Sequence, residues 1–365
     1  MKGYKLLIYL FILLALLTYI YVVEIRHKQT ESERKEKASR IVHLDKDDIS
    51  EIKIKSLEGP SIQIKKAASD KWNLVQPIDV MADIRAVRNF LTAATLAQPE
   101  KVVMEKDVKW ADYGLAKPDF EVTLTSPKKT VTISFGASNP AKSSYYLKVD
   151  GDQRLLLVPD TLKISLNKKV FDLRDKTVSE ISPDKIEKLE IVRDGNVVEI
   201  EKISGKWRMT KPTNIRAKSS KIRALLREIS DLHAKDIIDS PSTEKNAYGF
   251  ENSKNSIILE GNKFSKTFTF GSVMDKKSGG GQPKALRYLS VSGQKPVYVV
   301  DDSFFTGAKF DSESWTDRSI VEMDPLSVQK ILLEFMGKSW EFAKTADNKW
   351  KMEQPEKRNK LDDWR

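Results

Sequence analysis

The sequence predicts an α+β protein. It reads as tandem duplicated units of mostly antiparallel sheet, each with a covering amphipathic helix, after one N-terminal transmembrane helix. Three observations carry that expectation. WNLVQP at 72–77 returns as WRMTKP at 207–212 and as WKMEQP at 350–355. Around each phrase apolar and polar residues alternate, the period-two pattern of half-buried strands. Residues 6–23 form an uncharged apolar run of 18 residues.

That run, LLIYLFILLALLTYIYVV, has Thr18 as its clear polar interruption. At 1.5 Å per residue it covers most of a ~30 Å hydrocarbon core. Tyr4 and Tyr9 lie toward one end and Tyr19 and Tyr21 toward the other, as in an interfacial aromatic belt. A cleaved signal peptide wants small residues after the apolar stretch, and Tyr-Ile-Tyr-Val-Val-Glu follows instead. A buried soluble helix would carry a polar face. Residues 1–23 therefore read as an uncleaved anchor whose partner is the bilayer. Lys2 and Lys5 stand upstream, while Arg26, Lys28, Arg34, Lys35, Lys37 and Arg40 stand downstream. A bare count of those cations would keep the bulk in the cytoplasm. Long domains, however, translocate largely regardless of flanking charge, so the bulk is expected outside it. Residues 24–44 then read as a charged stalk, either helical or a flexible spacer.

The first unit spans 45–180. EIKIK (51–55) and SIQIK (61–65) flank Glu58-Gly59-Pro60, a hairpin signal. In the Trp phrase, Trp72 and Leu74 alternate with Asn73, and Pro77 closes the strand. Val87, Phe90, Leu91, Ala94 and Ala97 then fall on one helical stripe. Tyr113-Gly114 closes the next connection, Gly supplying a positive φ. Two more strand pairs follow, 120–124 with 131–135 and 144–149 with 154–158, the second joined at Asp150-Gly151.

The second unit, 181–322, repeats this order. Trp207, Pro212, Tyr248-Gly249-Phe250 and Phe270-Gly271 match Trp72, Pro77, Tyr113-Gly114-Leu115 and Phe135-Gly136 at one ungapped offset of 135. The stripe recurs as Ile222, Leu225, Leu226, Ile229 and Leu232. Later landmarks keep an offset of 142: Tyr146 with Tyr288, Val158 with Val300, Asp160 with Asp302, Asp175 with Asp317. The seven extra residues fall in KKSGGGQPKA, 276–285, a lengthened loop. A period this long marks duplication of a domain, not a solenoid. Residues 323–365 open a third unit with SVQKILLEF (327–335), the Trp340–Phe342 stretch and WKMEQP, and stop where the stripe helix is due. Either the sequence is a piece of a longer protein or a partner supplies the missing cover. The exposed sheet has nothing at the terminus to compensate for it, which favours the piece.

The chemistry that composition excludes is broad. With no cysteine there are no disulfides, thiol nucleophiles, thiolate metal sites or lipoprotein anchor. The charge of +11 is spread over scattered basic doublets, such as Lys65-Lys66 and Lys168-Lys169, without interleaved aromatics. That reads against nucleic acid. His27, His43 and His233 have no partner at metal-ligand spacing. Gly279-Gly280-Gly281 lacks the Gly-Lys-Ser/Thr of a phosphate loop. Asp150-Gly151-Asp152 lacks the Glu of a calcium loop and reads as a turn. Asp160 and Asp302 each suit a helix N-cap, and Asp175 and Asp317 each suit a closing salt bridge. No catalytic, cofactor-binding or metal-ligating residue is nominated, and no enzyme is expected.

The order of landmarks, W-x-L/M-x-x-P, stripe helix, Y-G-L, a strand ending F-G, a paired-aromatic strand and Leu173-Arg174-Asp175-Lys176, resembles the bacterial family catalogued as domain of unknown function 4340. The second copy departs at Phe250 and at Trp315-Thr316-Asp317-Arg318. The resemblance implies an anchored extracytoplasmic protein, often found beside ABC-transporter membrane components, with no established activity. The expected role is a tethered interaction or accessory module of a transport or envelope complex at the bacterial inner membrane, crossing it once. The alternative is binding of cell-wall glycan or another anionic envelope polymer.

Overall fold

The computed structural model describes residues 31–243, 247–275, 285–307, 312–319 and 326–355, together with positions 11, 13, 14, 16, 18 and 19. The expected anchor at 6–23 lies largely outside them. Among the described residues no helix is long and apolar enough to cross a membrane. Glu31–Ser39 in the expected stalk is a helix, α1, and Arg40 reaches back one turn to Glu36 at 3.2 Å.

The first repeat builds a nine-stranded sheet. Its strands are β1 (Glu51–Ser56), β2 (Ile62–Lys66), β3 (Trp72–Gln76), β4 (Val80–Met81), β5 (Lys101–Met104), β6 (Phe120–Thr125), β7 (Thr130–Ser138), β8 (Ser144–Val149) and β9 (Leu155–Pro159). They lie in the order β4-β3-β2-β1-β6-β7-β8-β9-β5, every pairing antiparallel. Alternation in the sequence becomes rows across the inner face: Leu74, Ile64, Ile52, Leu124 and Val131 stand opposite one another from strand to strand. All five are buried. Helix α2 (Ile84–Leu96) joins the same core through Val87, Phe90, Leu91 and Ala94. Asp83 starts it, its carboxylate accepting from the backbone N–H of Arg85 and Ala86 at 2.8 and 3.1 Å. Two short helices, α3 (Asp160–Leu166) and α4 (Val170–Leu173), close the repeat.

The second repeat has the same topology strand for strand. Its elements are β10 (Ile186–Arg193), β11 (Asn196–Ile203), β12 (Lys206–Lys211), β13 (Ile215–Arg216), α5 (Ser219–Ser230), β14 (Asp236–Ile238), β15 (Ser256–Gly261), β16 (Phe264–Asp275), β17 (Ala285–Val291) and β18 (Val297–Asp301). Helices α6 (Asp302–Gly307) and α7 (Ser312–Trp315) follow. The order β13-β12-β11-β10-β15-β16-β17-β18-β14 is that of the first sheet, each label advanced by nine. The third repeat supplies β19 (Lys330–Phe335), β20 (Lys338–Lys344) and β21 (Trp350–Gln354), a three-stranded sheet.

Two readings of the stripe needed correction at one end. Ala97 caps α2 and Leu232 lies beyond the last residue of α5, so each stripe runs past its helix. The sequence also concealed the short strands β4 and β13 after the Trp phrase, and the edge strands β5 and β14. Those edges are three or four residues long, too short to show a period. Each Pro of the Trp phrase follows a cis peptide bond: Gln76-Pro77, Lys211-Pro212 and Gln354-Pro355.

Scattered landmarks turn out to be one contact. Gly114 and Gly249 adopt φ of +69° and +76°, turning the chain after Tyr113 and Tyr248. Those rings stand edge-on to Tyr146 and Tyr288, with centroids 4.8 and 5.0 Å apart. The following Gly136 lies against the Tyr113 carbonyl and Leu115, and Gly271 against the Tyr248 carbonyl and Phe250. A Cβ at either would collide with backbone. The F-G landmark therefore exists to admit the Y-G turn.

Each closing segment straps onto its own repeat. Asp83 N–H donates to Leu173 and Asp175 N–H to Met81, both at 2.8 Å. Lys218 to Trp315 and Asp317 to Arg216 repeat this at 2.8 and 2.9 Å. By contact the chain forms two compact units: one runs to Ile181 and includes Ile229–Ser253 and Phe268–Gly307, and the other comprises Ser182–Glu228, Lys254–Thr267 and the chain from Ala308.

Candidate functional site

Of the residues weighed above for chemistry, His27 and Gly279–Gly281 lie outside the described residues, as do the anchor and flanking residues Lys2, Tyr4, Lys5, Tyr9, Tyr21, Arg26 and Lys28. His43 is exposed. His233 was expected at a helix end. It lies three residues past α5, where it bridges Thr177 and its Nδ1 sits 2.6 Å from the Asp231 carbonyl. Asp150-Gly151-Asp152 is the expected hairpin turn, with Gly151 at φ +84°. The Asp152 carboxylate accepts from Arg154 Nε and Nη2, down to 2.7 Å. That hydrogen-bonded guanidinium holds the carboxyl below its ordinary value, and the pair raises Arg154.

The recurring carboxylates behave differently in the two copies, and the N-cap reading fails for both. Asp160 is the first residue of α3, after Pro159 in the cap position. Asp302 is likewise first in α6, and it is Asp301 that accepts from Ser303 N–H. The Asp302 carboxylate instead takes Arg287 Nε at 2.5 Å, while Arg287 Nη1 donates to the Gly271 carbonyl at 2.8 Å. The Arg287 guanidinium also lies over Phe305, 4.2 Å from its centroid. In the first copy the position of Arg287 holds Tyr145, and Asp160 faces a cavity. Of the closing carboxylates, Asp317 makes the expected ion pair, with Arg216 at 3.7 Å. Asp175 turns inward to Thr177, accepting from its N–H and hydroxyl at 2.9 and 2.8 Å. Its neighbour Arg174 makes the ion pair, with Asp239.

That cavity, about 400 Å³, is lined by Asp119, Lys142, Tyr145, Asp160, Lys163 and Asn167 among others. Lys163 Nζ stands 4.0 Å over the Tyr145 ring. A neighbouring cavity of about 380 Å³ shares Ser56, Glu58 and Asn167 with it and adds Lys168 and Lys169. The rim can hold a polar or charged group by hydrogen bonds and ion pairs. It presents no nucleophile beside a base. Among the described residues no three His, Asp or Glu side chains converge as metal ligands.

Sequence reading missed Glu199, a buried carboxylate. It accepts from the Thr210 hydroxyl at 2.8 Å and from Lys211 Nζ at 3.1 Å, and it pairs with Lys188 at 3.2 Å. The Thr210 hydrogen bond, then those from the lysines, lower its carboxyl below the usual range against the cost of burial. A Glu between apolar residues of a strand was the available signal.

Twice-repeated topology, packed landmarks and a third opening sheet define a tandem-repeat α+β protein with antiparallel nine-stranded repeats. The chain belongs to the family described as "Domain of unknown function (DUF4340)", whose model matches residues 72–253 and again 207–363. Both matches begin on the Trp of the repeated phrase. No curated protein and no solved structure matches the chain.

Proposed function

We propose that the chain is a membrane-tethered interaction module, an accessory part of an ABC-type transport or envelope complex, with its bulk outside the cytoplasm. The observation that supports this best is what the recurrent residues do. Trp72 and Trp207, the paired tyrosines, Gly136 and Gly271, and both helix stripes serve packing. Polar positions diverge between copies: Tyr145 stands against Arg287, and Gln63 against Glu199. A duplicated scaffold with divergent polar positions suits presentation of surfaces more than one conserved reaction. The apolar run at 6–23 supports the tether. The transport setting rests on the resemblance alone. A topology reporter fused after Arg365 tests the placement, and a cytoplasmic signal would end the envelope reading. Purification in mild detergent tests the complex, and recovery of no membrane protein with the chain would remove it.

A second reading is binding of an anionic envelope polymer such as cell-wall glycan. Lys142 and Lys163 line one cavity and Lys168 and Lys169 its neighbour. None of the four side-chain ammonium groups forms an ion pair with a carboxylate among the described residues. Retention on cell-wall material at low salt and release at high salt is the expected result; no retention at low salt would retire it.

A further inference from the structure

The first two copies treat one position in opposite ways. Tyr145 and Arg287 are aligned by the offset of 142 and by register, each lying across the same bulge, opposite Ser138 and Val273. In the second copy the Arg287 guanidinium reaches Asp302 at 2.5 Å and the Gly271 carbonyl at 2.8 Å, and lies 4.2 Å from the centroid of Phe305. In the first copy the ring and the cation have changed places. Tyr145 stands where Arg287 does and Lys163 where Phe305 does, with Lys163 Nζ 4.0 Å over the Tyr145 ring. The carboxylate is kept but lacks its guanidinium. Asp160, the counterpart of Asp302, has neither a side-chain hydrogen bond nor an ion pair among the described residues. Tyr145 and Asp160 line instead the cavity of about 400 Å³. Asp119 lines it too, and at the offset of 135 the second copy has Lys254 in place of that acid.

We infer that this cavity binds a small ligand carrying a guanidinium group, which takes on Asp160 the place that Arg287 takes on Asp302. A planar guanidinium offers a carboxylate two parallel N–H donors, and a cavity of this size lies in the range of small-molecule sites. Asp119 adds a second negative charge to the lining. Lys142 and Lys163 line the same cavity, so a bare polycation is disfavoured and a ligand with its own carboxylate is matched by both kinds of charge. A guanidinium and a carboxylate on one small molecule describe free arginine or the C-terminal arginine of a peptide. Neither the membrane complex nor polymer binding is required for this site. Polymer binding would draw on the lysines, guanidinium binding on Asp160.

The test is equilibrium dialysis of the full chain in mild detergent against labelled L-arginine at low salt, with a dissociation constant of about 1 mM or lower expected. Asp160→Asn is expected to weaken binding about tenfold or more while leaving the melting temperature unchanged. Tyr145→Arg is expected to weaken it as much, because the chain then supplies its own guanidinium to Asp160 as the second copy does, and to raise the melting temperature. L-Argininamide, which lacks the carboxylate, is expected to bind several-fold more weakly than L-arginine. N-acetyl-L-arginine separates the two sources: affinity equal to that of L-arginine assigns the chain end, and a loss of about tenfold assigns the free amino acid. No binding of L-arginine at about 10 mM, unchanged binding in Asp160→Asn, or unchanged binding in a folded Tyr145→Arg would each overturn the site. Equal binding of L-argininamide would overturn the part given to the lysines. Should Tyr145→Arg fail to fold, Asp160→Asn still decides.

Discussion

Arg174 and Asp239, 65 residues apart, form a two-point ion pair: Nη1 donates to Oδ2 at 2.7 Å and Nη2 to Oδ1 at 3.0 Å. The arginine side chain is 7% exposed and the aspartate 36%. Arg174 Nε is buried without a partner, so the cation depends on Asp239 for its compensation. The pair locks the strap that ends the first repeat to the residue just after β14. Beyond it Val178 N–H donates to Leu232 at 3.0 Å and Ala234 N–H to Lys176 at 2.8 Å, so the strap continues along the chain that leaves α5.

Asp239→Ala is therefore expected to destabilise by about 3 kcal/mol, because it strands a buried guanidinium. Arg174→Met removes the charge along with its partner's contact, and the remaining aspartate is partly solvated. It should cost clearly less. Urea unfolding with an unchanged m-value reads both. Equal costs would mean that burial of the cation is not the source.

The landmark glycines separate two kinds of requirement. At Gly136 a methyl group would meet the Tyr113 carbonyl and Leu115, and at Gly271 the Tyr248 carbonyl and Phe250. Alanine at either is expected to cost about 2–3 kcal/mol through forced backbone movement. Gly151 has open space and a φ of +84°, so alanine there costs about 1 kcal/mol from conformation alone. Thermal melts of the three variants check the ranking.

Most of the architecture was legible because duplication supplied an internal control. One alternating strand is weak; the same strand at a fixed offset, followed by the same stripe, is strong. The α+β class, the hairpins, both stripe helices and the opening strands of the third sheet all followed. Edge strands escaped because three residues carry no period, and polar roles escaped because they depend on distant partners. Asp239 gives no local sign that it meets Arg174, and Asp302 looks like a cap until Arg287 is seen beside it.

Glu199 makes stability depend on acid in a defined direction. Its folded carboxyl titrates below the ordinary value of 4.5, chiefly through the Thr210 hydroxyl and then through Lys211 and Lys188. A lowered folded value favours the ionised folded state, so the contribution is fully present above the ordinary value. It is lost as pH falls through the lower folded one. Glu199→Gln is expected to flatten that part of the acid limb of a stability–pH curve while lowering stability at neutral pH. Parallel acid limbs in parent and variant would assign the loss to other carboxylates, Asp152 first among them.

The two aspartates that open the closing helices offer the sharpest contrast, since an alignment of the copies equates them. Asp302 faces Arg287 at 2.5 Å with both side chains nearly buried, 14% and 13% exposed. Removing its carboxylate leaves Arg287 with the Gly271 carbonyl and the Phe305 face as its other partners, so Asp302→Ala should cost about 2–3 kcal/mol. Asp160 has no side-chain hydrogen bond among the described residues and lines the cavity, so Asp160→Ala should change stability by less than about 0.5 kcal/mol. Because Asp160 shares that rim with Lys142 and Lys163, its removal leaves the rim more positive, so the variant is expected to keep its melting temperature and to hold an anionic polymer at least as well at low salt. If both variants melt alike, the pairing of Asp302 with Arg287 is not what holds the second copy's closing helix in place.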